Sequence, residues 1–590
     1  MSKFPVVCRM VFALASLLIC PFAFAQPLTP KQQCDQLLKD YWEDHLRASP
    51  ETATYLGDHR YDAEVSDLSP DAIKARIVAA RGFLARARAI DATKLTGQDA
   101  LNLKLISRKI EEQIEHSGFE PWLIPVSQFD GPHMEYAELA RSTAFRNTAD
   151  YDNYIARLKK LPHLFDQITA NMREGMGRGL MPPAYLLPEV ARQAETIASG
   201  RGDANAFAVP MQKFPATVAE VDRARIRKEL SNVIDTQLVP TYRRFAAFVR
   251  DEYAPHGRKE PGVWAIPRGG ERYKLAIREM TTTNMTADEI HQIGLKEVAR
   301  IEREMLVIAK QKGYNDLDSF HAAIRKNREL YGTSGEQILG LYKSHLDEIE
   351  KDLPKYFGHL PKAKLEVIPM SAYRAGASVP ADYSPGTPDG SRAGHVNVNM
   401  TAAEKRLLLN LESIAYHEGL PGHHLQMSLA QEMGELPQFR RQAGYTAYVE
   451  GWALYSEQLA HEMGYNKDPY SEYGRLENDM WRAIRLVVDT GIHSQHWTRD
   501  QMVDYFRKYT AMDEPNIQTE VDRYIAWPGQ ALAYKVGQMT ILRLREKAKK
   551  ELGEKFDIRA FHDELLGAGA LPMDVLEERM NAWITRQAGK

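Results

Sequence analysis

The sequence predicts a mainly α-helical protein with one minor β element, and three observations carry that prediction. Apolar residues recur at three-to-four spacing in one stretch after another from Thr29 to the C terminus. Only residues 362–400 depart from this pattern. With 44% hydrophobic and 26% charged residues, the 590-residue chain has the composition of an ordinary globular protein able to bury a large core.

The first 25 residues stand outside the expected fold. Lys3 and Arg9 give a positive start, Val11 to Ile19 an apolar run, and Ala23-Phe24-Ala25 a small-residue cleavage site, together a secretory signal peptide cut after Ala25. The run is short for a membrane anchor. Cys20 is a poor lipid-attachment site between bulky Ile19 and Pro21. After cleavage Cys34 is the only cysteine, so no intrachain disulfide is possible. These features place the mature chain, 26–590, in the periplasm with no stable membrane insertion. A formal charge of −3 and no strongly basic tract exclude nucleic acid as the natural partner. Nothing specifies a subunit number.

Helices are expected over Gln33–Ser49, Pro70–Ile90 and Thr96–His116. Ser69 is the N-cap and Pro70 the first-turn proline of the second. Periodicity returns at 135–144, 149–174, 184–198 and 204–252. Glycines and prolines at 256–273 then mark a break that could divide two lobes. Thr286 with Glu289 reads as a capping box for a helix over 286–312, followed by helices at 317–328, 334–354 and 400–418. Within 362–400, Leu365–Pro369 and His395–Asn399 read as short strands around a segment where Gly376, Gly386, Gly390 and Gly394 suit a flap or a plain loop. An exposed edge here could pair with an extended peptide. Helices resume at 438–462, 470–495, 499–511, 515–525, 529–550, 557–568 and 572–585.

The chemistry-bearing stretch is 413–457. His417 and Glu418 are followed by His423 and His424, and Glu450 comes later on a separate helix. Two imidazoles, a carboxylate ligand and a free carboxylate are the ingredients of a zinc hydrolase. On an unbroken helix His423 would lie about 240 degrees around from His417, and His424 about 10.5 Å along the axis, so neither could share an ion with it. Pro421 and Gly422 fall where the helix must break to bring a later histidine back. His423 is the favoured second ligand and His424 its rival. Glu418 is placed to act as general base, Glu450 as third ligand, and Glu457, seven residues on, as a partner that orients one of the ligands.

Tyr416–Gln426 and Glu450–Glu457 resemble the signature segments of the bacterial family known as domain of unknown function 885, over roughly residues 35–585. That family is similar to gluzincin metallopeptidases such as the thimet oligopeptidases and Taq-type carboxypeptidases. The resemblance implies a large helical zincin-like fold with a deep substrate channel. It also implies His417 as first ligand, Glu418 as base and Glu450 as glutamate ligand, and the Gly422-His423 pair adds weight to His423. Segments 489–497 and 523–538 look like further signatures. They nominate Tyr534 or Tyr524 as the donor to an oxyanion, His493 as a supporting group and Arg523 as an anchor for a substrate carboxylate.

The expected function is Zn2+-dependent hydrolysis of peptide bonds in short peptides. The alternatives are a metal hydrolase of another amide or ester, such as cell-wall fragments, and a non-catalytic helical binding protein.

Overall fold

The computed structural model describes residues 28–370, 379–387 and 392–589. The expected signal peptide, and Gly376 and Gly390 of the glycine-rich segment, lie outside the described residues. The architecture is mainly α-helical with one small, open sheet. Among the described residues no helix is long and apolar enough to cross a membrane.

Local chemistry sets many helix starts where the sequence places them. The Ser69 side chain accepts from Ala72 N at the head of Pro70–Ala89. At Thr286 the capping box forms in full, with Glu289 Oε2 accepting from Thr286 N at 2.8 Å. Other stretches are more broken than their periodicity suggests. The 204–252 region begins with a 3-10 turn, Ala206–Met211, and becomes helical only at Glu220, because Pro210 and Pro215 interrupt the hydrogen-bond ladder. In place of one helix over 400–418 there is a short turn, Ala403–Lys405, and then a helix of only eight residues, Leu411–Glu418.

Hydrophobic side chains gather around several centres. Residues 126–254 close on Tyr151, Phe165, Leu230 and Tyr242. A second centre joins the N-terminal helices, the sheet and the C-terminal helices around Tyr416, Trp452 and Ile541. The 256–273 segment packs tightly: a Cβ at Gly262 would collide with Trp264 and with the Ile492 carbonyl.

The sheet has three strands, β1 (Leu365–Pro369), β2 (Ala381–Ser384) and β3 (Gly394–Val398), in the order β1-β3-β2. β1 runs parallel to β3 with Val367 opposite Val396, and β2 runs antiparallel to it with Asp382 opposite Asn397. β2 was not anticipated: four residues inside a glycine- and proline-rich stretch carry too little alternation to read. Asn397 Nδ2 donates to Asp382 Oδ1 and Ser384 Oγ, binding it to the central strand.

Seven helices build the site. They are α1 (Ala287–Gln311), α2 (Leu411–Glu418), α3 (His423–Glu432), α4 (Thr446–Glu462), α5 (Pro469–Ser494), α6 (Glu514–Ala526) and α7 (Ala533–Leu552). α1 lies along α5, and α4 along α7. The α4–α7 approach requires glycine on both sides, since a Cβ at Gly451 would meet the Gly537 backbone and one at Gly537 the Ala447 carbonyl.

Candidate metal centre

α2 ends at Glu418 and α3 begins at His423, with Gly419–Gly422 crossing between them and a cis Leu420–Pro421 peptide in the crossing. The turn closes on itself: Gly422 N donates to the Tyr416 carbonyl and His424 N to the Gly419 carbonyl. A Cβ on Gly422 would run into the carbonyl oxygens of Tyr416 and His417, so only glycine allows this close a return. α4 holds the crossing from outside. Trp452 Nε1 donates to the Pro421 carbonyl at 2.9 Å, and Ser456 Oγ at 3.3 Å.

This bend brings His417, His423 and Glu450 together, with one ligand atom from each lying within 4.8 Å of the others. Glu450 Oε2 is 3.5 Å from His417 Nε2 and 3.5 Å from His423 Nε2. Metal–ligand bonds of about 2.0–2.1 Å at tetrahedral angles separate ligand atoms by about 3.3–3.4 Å, close to the two distances from Glu450 Oε2. Glu450 Oε2 has no hydrogen-bond partner although it is buried, a state that costs stability unless something else occupies it. Two imidazoles and a carboxylate converging in this way could hold a metal ion.

The charges around the cluster are coupled. Burial alone would raise the Glu450 carboxyl, but His417 and His423 pull it well below its usual range. Burial alone would lower the His417 imidazole, but Glu450 and Glu457 more than reverse that. The Glu457 carboxylate accepts from His417 Nδ1 at 2.8 Å, which leaves Nε2 as the free face of the ring. Glu457 is itself fixed: Asn478 Nδ2 donates to its other oxygen at 3.1 Å, and Asn410 Nδ2 donates to Asn478 Oδ1 at 3.1 Å. Glu418, half-buried, lies within electrostatic range of His423, Glu450, Asp382 and Arg482. Its carboxyl is pushed up to about 8, chiefly by burial.

The segment Glu450–Glu457 can therefore be read residue by residue. Glu450 faces the two imidazoles, Gly451 admits α7, Trp452 and Ser456 hold the Pro421 carbonyl, and Glu457 orients His417. Tyr455 hydrogen-bonds His562 at 2.7 Å on the far side.

The remaining sequence candidates are placed differently. His424 turns toward the sheet. Its Nε2 donates to the Ala363 carbonyl at 3.2 Å and its Nδ1 accepts from the Tyr383 hydroxyl at 3.0 Å, and burial holds the ring at about 4. Tyr534 lies beside the cluster, its ring stacked at 6.5 Å from that of His417. Its oxygen accepts from Arg523 Nη2 at 3.1 Å, with Gln530 Nε2 at 3.5 Å, so its own proton is left to point elsewhere. The Tyr524 hydroxyl is already committed: it donates to Glu520 Oε2 at 2.5 Å and accepts from Trp481 and Arg485. His493 accepts from Val263 N through Nδ1 and donates to the Tyr524 carbonyl through Nε2, joining three backbone segments; burial lowers it to about 3. His395, on β3, faces Glu366 on β1 at 3.5 Å.

Sequence reasoning missed Asn478, Trp481, Arg482, Arg485 and Asp382. The two arginines had a signal, standing in an apolar run that ends in Leu486-Val487-Val488, where charged residues are out of place unless paired.

A family model described as a bacterial protein of unknown function, DUF885, matches residues 50–580. The chain belongs to the DUF885 family. No curated protein matches this DUF885 chain. Among solved structures, it is similar to a candidate lipoprotein from Colwellia psychrerythraea. The two are 28% identical over 95% of this chain and 100% of that one, with a TM-score of 0.90. A candidate lipoprotein of unknown function from Shewanella oneidensis shares the fold at a TM-score of 0.72 and 18% identity, over 94% of this chain and 100% of that one.

Proposed function

We propose that this DUF885 protein is a zinc-dependent peptidase that hydrolyses short peptides. The observation that carries the proposal is the convergence of His417 Nε2 and His423 Nε2 on one oxygen of Glu450, with the Glu418 carboxyl beside them. The resemblance of Tyr416–Gln426 and Glu450–Glu457 to gluzincin motifs adds support. His417, His423 and Glu450 would hold the ion. When bound, zinc supplies a Lewis acid that lowers the pKa of water and polarises a carbonyl. The positive charge of a bound ion would bring the Glu418 carboxyl back to its ionised form, in which it accepts the proton of the attacking water and passes it to the leaving nitrogen. Tyr534 directs its hydroxyl proton at the oxygen that gains charge, oriented for this by Arg523. β2, whose outer edge has no strand partner among the described residues, offers backbone groups to an extended substrate. Export to the periplasm follows from the N-terminal segment and agrees with the candidate-lipoprotein names of the two similar structures.

The test is zinc analysis of the purified protein together with digestion of a peptide library read by mass spectrometry. The wild type should carry one zinc and cleave. Glu418→Gln should keep the zinc and the fold and lose turnover by about 10²–10⁴-fold. Wild-type protein without stoichiometric metal, or with metal but without hydrolysis of any peptide, sinks the reading. In the second case hydrolysis of cell-wall amides or esters is the next assay.

A further inference from the structure

A cavity of about 650 Å³ lies where the helices Pro30–Ala48 and Pro50–Tyr55, the end of Pro132–Ser142 and the short helix Gln438–Arg441 meet the chain that leaves β2. That volume suits a whole ligand rather than a few waters. Among the described residues three arginines line it, Arg141, Arg146 and Arg392, against one carboxylate, Asp58. Asp58 is already engaged, its two oxygens accepting from Arg60 Nε at 2.9 and 3.1 Å. Arg146 shares its charge with Asp150 at 3.3 Å. Arg392 gives Nη2 to a neutral acceptor, the Pro385 carbonyl at 3.2 Å, and that bond leaves its charge uncancelled. Tyr55, 48% exposed, and Trp42 add aromatic surface to the wall. Positive charge beside accessible aromatic surface favours an anion with an organic body over a bare inorganic ion.

The cavity stands close behind the metal cluster. Arg392 and Tyr55 both lie within electrostatic range of the Tyr383 hydroxyl. That hydroxyl donates to His424 Nδ1 at 3.0 Å, and the Tyr383 ring stacks at 6.5 Å from the ring of His423. β2 supplies the path between the two places. Asp382, within β2, is in electrostatic range of Glu418, and Thr387, five residues on, lines the cavity. An extended chain advances about 3.3 Å per residue, so a peptide alongside β2 covers the same separation in about five residues. A peptide paired with the outer edge of β2, with one bond at the cluster, therefore carries residues about four or five positions away into the cavity.

We propose that this cavity is a distal subsite for acidic side chains of the substrate, about four or five residues from the bond that is cut. The subsite rests on the peptidase reading. It makes the length of the peptide and the charge at its far end part of what the protein selects.

Binding can be measured apart from turnover. Titration calorimetry on zinc-free protein compares a capped heptapeptide of two aspartates followed by five alanines with the same peptide carrying asparagines, and then the same pair in reverse order. In one order the aspartate peptide should bind at least about tenfold tighter than its asparagine partner at low salt. The advantage should shrink as salt is raised, because solvent reaches these arginines. Arg392→Gln should remove the advantage and leave the affinity of the asparagine peptide unchanged. If that variant disturbs the chain after β2, Arg141→Gln combined with Arg146→Gln, at two exposed positions, should show the same selective loss. A benzophenone at the aspartate end should cross-link to residues 42–59, 141–146 or 438–442. Equal affinities in both orders, no binding by any of the four peptides, or an advantage that survives these substitutions overturns the subsite. Hydrolysis of aspartate and asparagine peptides with equal kcat/KM by the zinc-loaded enzyme would overturn it too and leave the peptidase reading standing. Acid-selective binding that the variants lose, with no peptide hydrolysed, would sink the peptidase reading and leave the cavity as a site for acidic peptides.

Discussion

Replacing Glu457 with glutamine tests whether the carboxylate behind His417 sets metal affinity. In the wild type one Glu457 oxygen accepts from His417 Nδ1 at 2.8 Å and the other accepts from Asn478 Nδ2 at 3.1 Å. Glutamine has only one oxygen. Turned toward His417, it presents its NH2 to the NH2 of Asn478, two donors face to face. Flipping Asn478 only moves the clash outward, because Asn410 Nδ2 donates to the Asn478 oxygen at 3.1 Å. The lost charge also leaves Arg482, 3.5 Å away, without its carboxylate. Loss of a partner that orients a ligand typically weakens metal binding by about 10–100-fold, or about 1.4–2.7 kcal/mol. We expect Glu457→Gln to bind zinc that much more weakly in competition with a chromophoric chelator at pH 7.5. The added stability that saturating zinc confers in urea unfolding should fall by the same amount. Zinc affinity within twofold of wild type, in a variant with native circular dichroism, would falsify the argument that His417 is a ligand oriented by Glu457.

Three further outcomes follow from other parts of the site. His423→Ala should abolish stoichiometric zinc binding while His424→Gln keeps it within about threefold, measured by the same competition; the reverse order would show that His424 is the ligand. Gly422→Ala should cost about 3 kcal/mol or more in urea unfolding, because its Cβ meets backbone carbonyls that cannot move aside. Although burial opposes it, Lys535 and Arg300 hold the Asp479 carboxyl at about 2, with Lys535 Nζ at 2.5 Å. An unfolded aspartate titrates near 3.9, so this stabilisation is complete above about pH 4 and disappears as pH falls through about 2, a contribution of roughly 2–3 kcal/mol. Asp479→Asn should therefore be less stable at pH 7 and show a flatter acid limb between pH 4 and 2 in chemical denaturation.

Short-range rules made much of this protein legible from its sequence. Ser69 and Thr286 cap helices because their side chains satisfy nearby backbone donors, a matter of three residues. The helix break at Pro421-Gly422 was readable for a similar reason: a regular helix holds His417 away from both later histidines, and these two residues are the ones able to interrupt it. Glu450 and Glu457, seven apart, fall on one helical face whatever that face meets.

Contacts between distant residues decided the rest. Which histidine turns toward Glu450 depends on the direction in which the chain leaves the break. That direction is held by Trp452 and Ser456 on the Pro421 carbonyl, while the sheet engages His424 through Tyr383 and Ala363. β2 exists because Asn397, fifteen residues beyond Asp382, supplies its partner. The different hydrogen bonding of Tyr534 and Tyr524 comes from three helices meeting: Glu520 accepts from one hydroxyl, and Arg523 donates to the oxygen of the other. Local spacing fixes what a residue can do, and long-range packing fixes which of several equally capable residues is in position to do it.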